Sequence, residues 1–260
     1  MSTAPLAQLR WDGNRPTLPP VLLLHGIGGG RAGWGDIGPT LAAAGHTVVA
    51  LDFPGYGGSA SIDPFDLAGL ADAVLRSIDH LGASSAILVG HSMGGMVAQE
   101  LTARAPERVA GLVLASTSPA FGKSDGDWQR AFVAARFAPL DAGLRMAGLA
   151  AQLVPTMLGP DTSPERAAAA QALMAGVPES TYRAAVLALL PFDRRAALPS
   201  IGVPTLVITG EHDGTAPPEV ARRMAERTPG ARLVIVPGAG HLLPIENPAA
   251  LAEAVVSLLS

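Results

Sequence analysis

A chain of 260 residues, 48% hydrophobic and only 15% charged, is long enough for one α/β domain with an insertion and too apolar to be disordered. Its formal net charge of −4, with no basic run, argues against nucleic acid or an anionic membrane as a partner. The absence of cysteine excludes disulfide frameworks, thiolate metal sites and a cysteine nucleophile.

The N-terminal stretch MSTAPLAQLRWDGNRPTLPP has no basic segment leading into a long apolar one, and no later run is long enough to span a bilayer. No signal peptide and no membrane association are expected, and the expected location is cytoplasmic. A first apolar run, PVLLLHG (20–26), reads as a buried strand and leads into the glycine-rich HGIGGGRAGW. HTVVALD (46–52) reads as the next strand and PFDLAGLADAVLRSIDHLG (64–82) as a helix. The strand SAILVGHS (85–92) passes directly into the helix MGGMVAQELTARAPE (93–107), which precedes the strand VAGLVLAST (109–117). After a long interval come VPTLVITGEHD (203–213), the helix PEVARRMAERTPG (218–230), ARLVIVPGAGH (231–241) and the helix NPAALAEAVVSLLS (247–260). Strands this short and apolar, alternating with helices, predict a doubly wound α/β fold around a mostly parallel sheet buried on both faces.

The alternation fails over 119–198, where DWQRAFVAARFAPL, AGLRMAGLAAQLVPTML, SPERAAAAQALMAG and STYRAAVLALLPF all read as helices. This stretch is expected to be a helical cap over a core made of 1–118 and 199–260. An extra helical layer packed on the sheet edge is the competing reading.

Gly90-His91-Ser92-Met93-Gly94 fits G-x-S-x-G at a strand-to-helix junction, the setting of a nucleophile elbow. Glycines there remove Cβ atoms that would clash in a sharp turn, and the helix beginning at Met93 aims free N–H groups at developing negative charge. A serine nucleophile needs a base that is itself oriented by a carboxylate, in the chain order Ser, acid, His. His241, in the glycine-rich PGAGHLLPIENP after the last strand, has the freedom to reach Ser92; His25, His46, His80, His91 and His212 fit less well. Asp213 at the end of its strand is the candidate acid, Glu211 the runner-up and Asp193 a weaker one, whereas Asp52 braces its own loop. Oxyanion donors are expected from the backbone N–H groups of Met93 and Ile27. His25-Gly26 is expected to shape the loop without touching reacting atoms. HGIGGGRAGW lacks both a Walker lysine and G-x-G-x-x-G, and no H-E-x-x-H occurs, so neither a cofactor nor a metal is expected.

Taken together, LLLHGIGGG, LDFPGYGGSA, LVGHSMGGMVAQELTARAPERVAGLVLAST, VPTLVITGEHDGTAPPE and PGAGHLLPIENPAAL resemble the α/β-hydrolase superfamily over nearly the whole chain. The wording is most similar to the branch that holds 3-oxoadipate enol-lactonases, small carboxylesterases and ring-cleavage-product hydrolases. The resemblance implies an α/β-hydrolase fold, with the helical cap inserted after strand six. It also implies Ser92, Asp213 and His241 as catalytic triad and Ile27 and Met93 as oxyanion donors. Phe53-Pro54 stands where many relatives place a basic residue.

The function expected is hydrolysis of a small-molecule carboxylic ester or lactone through an acyl-enzyme. The alternatives on the same scaffold are C–C bond hydrolysis of ring-fission products, a perhydrolase or haloperoxidase-like activity, and non-catalytic ligand binding. Carboxylated substrates would need polar cap residues, for which Arg130, Arg136 and Arg145 are the candidates. An apolar pocket would instead draw on Trp128, Phe132, Phe137, Met146, Met157 and Phe192, with Gly28 and Leu242 at its core side.

Overall fold

The computed structural model describes residues 5–122 and 126–259. Residues 1–4, 123–125 and 260, which fall within the expected signal-free N-terminus, the insertion and the last helix, lie outside the described residues. In chain order the elements are β1 (Gln8–Trp11), β2 (Val21–Leu24), α1 (Gly38–Ala43), β3 (Val48–Leu51), α2 (Leu67–His80), β4 (Ala86–His91), α3 (Met93–Arg104) and β5 (Val109–Ala115). The insertion follows with α4 (Asp127–Asp141), α5 (Met146–Leu153), α6 (Pro164–Ala175) and α7 (Glu179–Ala188). The chain then completes β6 (Thr205–Gly210), α8 (Pro218–Arg227), β7 (Arg232–Val236), α9 (Leu243–Glu246) and α10 (Pro248–Leu259).

Seven strands form one sheet in the order β1-β3-β2-β4-β5-β6-β7, and all neighbours are parallel except β1 against β3. Every residue of β2, β3, β4 and β6 is buried, as parallel strands covered on both faces require. Alternation sorts them into two cores. Leu22, Leu24, Leu88, Leu112 and Leu114 face α2, α3 and α8, whereas Val21, Leu23, Ile87, Val89 and Val113 face α1, α9 and α10. The apolar interior of the insertion, including Leu149, Val154, Met174 and Val186, is continuous with the first of these cores.

The insertion leaves the sheet after the fifth strand counted along the chain, not the sixth, because only five of the sheet's strands precede it among the described residues. Three elements were not anticipated, the four-residue α9 among them. β1 is an edge strand, mostly exposed, with no apolar run to mark it, and α1 is a six-residue helix that opens on Gly38-Pro39. Strand order reverses between β2 and β4, and the loops after these two strands meet at their carboxyl ends, which is where open α/β sheets place ligands. Among the described residues no helix is long and apolar enough to cross a membrane.

Candidate active site

The turn from β4 into α3 is unusually constrained. Ser92 has φ 52° and ψ −116°, a left-handed conformation that non-glycine residues rarely adopt. The surroundings over-determine it. The Ser92 N–H donates to the Ala115 carbonyl at 2.9 Å, and the Ser92 carbonyl accepts from Thr117 Oγ1 at 2.7 Å and from the N–H of Gly95 at 3.0 Å. The flanking glycines serve close approach. A Cβ at Gly94 would sit 2.1 Å from the Leu24 carbonyl oxygen, and one at Gly90 would lie 2.4 Å from that of Gly94. Because the obstruction at Gly94 is the backbone of a central strand, Gly94→Ala is expected to lower the unfolding free energy by about 1–3 kcal/mol, read from urea denaturation.

Three distant positions converge beside this turn. His241 Nε2 lies 3.1 Å from Ser92 Oγ, and His241 Nδ1 lies 3.0 Å from both carboxylate oxygens of Asp213. A carboxylate only accepts, so Nδ1 carries the proton and Nε2 is left as an acceptor for the serine hydroxyl. Asp213 and His241 are buried, 2% and 4% exposed, and Ser92 is partly open to the adjoining cavity. Asp213 also accepts from the N–H groups of Thr215 and Ala216 and from Thr209 Oγ1. Burial alone would push its carboxyl up. The charge interaction and hydrogen bond with His241, together with the two N–H groups, outweigh that and hold it below the usual carboxylate range. Glu211 is exposed and turned to Gly238 and His212, and Asp193 is exposed and paired with Arg195, so neither competes for His241.

The His241 loop is not free, contrary to the expectation drawn from its glycines. The His241 N–H donates to the Met157 carbonyl at 2.7 Å, and His91 Nε2 donates to the His241 carbonyl at 2.8 Å. Glu246 ties the loop to the insertion. Its carboxylate accepts from the N–H groups of Gly159, Gly240 and Leu242 and from the Thr162 hydroxyl, all within 2.6 to 2.9 Å. The glycines let backbones touch, since a Cβ at Gly240 would meet the Met157 carbonyl at 2.4 Å. His91 and Glu246 are thus positioning residues that sequence reasoning missed; the only cue was His91 beside the nucleophile.

The loop after β2 is clamped in turn by His25, whose Nδ1 donates to the Gly26 carbonyl while Nε2 accepts from the Phe53 N–H. The Ile27 carbonyl accepts from Tyr56, and the Ile27 and Met93 N–H groups make none of the loop and turn hydrogen bonds among the described residues. The Asp52 side chain, expected to brace its own loop, instead accepts from the N–H and guanidinium of Arg31 in the loop after β2.

His25 and His91 are neutral by burial, which lowers them from 6.5 to about 4 and about 3, the nearby His241 adding to the effect at His91. Both folded values lie below the unfolded one, so the stability they contribute is complete above pH 6.5 and is lost as pH falls toward those values. The unfolding free energy is therefore expected to fall across this window. His91→Gln is expected to flatten the slope by about 1 kcal/mol per pH unit, measured by urea melts from neutral to acid pH.

A cavity of about 420 Å³ adjoins Ser92 and His241, roofed by the insertion. Of the residues read as pocket candidates, Gly28, Trp128, Phe132, Met157 and Leu242 line it, together with Met174, Tyr182 and Ser116. Phe137, Met146 and Phe192 do not. On α4, Trp128 and Phe132 share one face, whereas Phe137 is five residues past Phe132, off that face and under Arg183; Met146 and Phe192 are buried in the core. Of the three candidate arginines only Arg136 reaches the cavity. Among the described residues no group of three histidine or acidic side chains is gathered to hold a metal ion.

A parallel sheet with a strained serine at its topological switch and a histidine–carboxylate pair beside it defines a class. Residues 19–248 match the family model described as alpha/beta hydrolase fold, and the chain belongs to that family. Over 233 residues it is 35% identical to the dihydrolipoyllysine-residue acetyltransferase component of the acetoin cleaving system of Pseudomonas putida, covering 87% of this chain but only 60% of that protein. It is 31% identical over 236 residues to the pimeloyl-(acyl-carrier protein) methyl ester esterase of Neisseria meningitidis serogroup B, covering 85% of each. The solved enol-lactonase of Burkholderia xenovorans LB400 superposes with a TM-score of 0.84 at 28% identity, over 98% of this chain and 96% of that one.

Proposed function

We propose that the chain is a serine hydrolase that cleaves small carboxylic esters or lactones through an acyl-enzyme. The observation that carries this reading is the continuous hydrogen-bonded line from Ser92 Oγ through His241 to Asp213. His241 Nε2 takes the hydroxyl proton as Ser92 Oγ attacks the carbonyl carbon. The oxyanion accepts from the N–H groups of Met93 and Ile27, and its collapse expels the alkoxide, which leaves with the proton held on His241. Water, deprotonated by His241, then attacks the ester carbonyl on Ser92, and the second collapse frees the acid and restores the hydroxyl. Asp213 keeps the imidazole in its Nδ1–H form and stabilises the cation at each step. Residues 119–198 act as a cap that supplies the acyl and alcohol pocket above a core of 1–118 and 199–260. The relatives named an esterase and an enol-lactonase support the substrate class, since both names denote attack at an ester carbonyl.

The test is turnover of p-nitrophenyl acetate and butyrate by the wild type and Ser92→Ala, with a fluorophosphonate probe and peptide mapping. Turnover and labelling of Ser92 are expected, and both are lost in the variant. A wild-type protein that neither turns over the esters nor takes the label is not a serine hydrolase.

A further inference from the structure

The cavity wall is mostly apolar and carries a single permanent charge. Among the described residues lining it there is no aspartate or glutamate, and Arg136 is the single side chain with a permanent charge. Its place follows from α4, where Trp128, Phe132 and Arg136 recur four residues apart and form one face, with Trp128 at the exposed end.

The half-buried guanidinium has only uncharged partners. It lies over the Phe132 ring, 3.3 Å from the centroid, donates to the Phe132 carbonyl at 3.2 Å and sits beside the Tyr182 side chain. Burial pushes the Tyr182 phenol above its ordinary value, so it supplies no counter-charge. Elsewhere the chain pairs comparable arginines: Arg183 with Asp141 and Glu179, and Arg194 with the buried Glu100. A guanidinium withdrawn from water without an anion is costly, and its planar fork is shaped to receive a carboxylate in two parallel hydrogen bonds. The ring beneath it holds that plane, and Tyr182 lines the same wall.

We propose that Arg136 binds a second, ionised carboxylate of the substrate, so that the preferred substrates are half-esters of dicarboxylic acids: the ester carbonyl at Ser92 and the free carboxylate at Arg136. This rests on the ester-hydrolase reading of Ser92. The cavity volume lies within the range of small-ligand sites.

The experiment compares monoethyl esters of the succinate-to-suberate series with their carboxamide isosteres, which keep size and lose charge. The wild type is expected to favour the carboxylate member at one optimal length by roughly 10- to 100-fold in kcat/KM, expressed mainly in KM. In Arg136→Met that ratio is expected to collapse to near unity, while Arg136→Lys retains part of it. The matching free diacid is expected to inhibit p-nitrophenyl butyrate turnover competitively in the wild type, which needs no folded variant, and its diamide is not. Equal kcat/KM for carboxylate and carboxamide in the wild type, or the full ratio persisting in Arg136→Met, overturns the assignment while leaving the esterase reading intact. Failure to cleave p-nitrophenyl butyrate at all removes both.

Discussion

Ser92→Ala is expected to lower kcat for ester hydrolysis by about a millionfold, with little change in KM. The proposed nucleophile is absent, and what remains on this reading is attack by water on a carbonyl still polarised by the Ile27 and Met93 N–H groups. Asp213→Asn is expected to cost about 10⁴-fold without disturbing the fold. An asparagine can present its amide N–H to His241 Nδ1, where both carboxylate oxygens now stand at 3.0 Å. The imidazole proton then moves to Nε2, and the atom 3.1 Å from Ser92 Oγ becomes a donor unable to take a proton. Because the groups act as a unit, the double variant is expected to be no slower than Ser92→Ala alone. Single-turnover kinetics with p-nitrophenyl butyrate reads all three. An Asp213→Asn enzyme of near wild-type rate would show that His241 does not depend on that carboxylate.

Glu246→Ala is the second large effect, although Glu246 touches neither Ser92 nor the His241 ring. It removes the acceptor for three backbone N–H groups and one hydroxyl that lock residues 159–162 of the insertion to the His241 loop. Donors stranded in a half-buried site cost about 1–3 kcal/mol each, part of which water recovers, so a net loss of about 2–4 kcal/mol is expected. Displacement of the base by even a fraction of the hydrogen-bond length is expected to reduce kcat about 100-fold at temperatures where the variant is still folded. Glu246→Gln is expected to do no better. Glutamine offers one acceptor oxygen and turns an NH₂ donor toward groups that are themselves donors. A glutamine variant with wild-type kcat and urea midpoint would refute this account of the loop.

The parts legible in the sequence share a physical trait: their signal is local. Runs such as VLLL and AILVGH are apolar on both faces because helices cover the sheet on both sides, and no other environment suits them. Ser92 could be read because sterics force glycines around so tight a turn, and Asp213 and His241 because each follows a strand on the same rim of the sheet. β1 escaped notice because QLRW is an edge strand, mostly exposed, whose pairing with β3 leaves no hydrophobic pattern behind. The pocket was half legible. Composition marks α4 as aromatic, but whether Phe132 or Phe137 looks into the cavity depends on the rotation of the helix about its axis, which packing against distant elements decides. Arg136 was one of three arginines for the same reason. The service of His91 was marked only by its place beside Ser92 and that of Glu246 not at all, since their partners are mostly backbone groups 150 and up to 87 positions away.

The bond from the His241 N–H to the Met157 carbonyl, reinforced through Glu246, has a bearing on protein engineering. A chimera that exchanges the whole helical roof for that of another scaffold would sever the seam at 157–162 and unseat His241, the proposed general base, along with the old specificity. Grafts that keep those six positions native, and swap only the helices on either side, should change what enters the chamber while sparing the machinery below it.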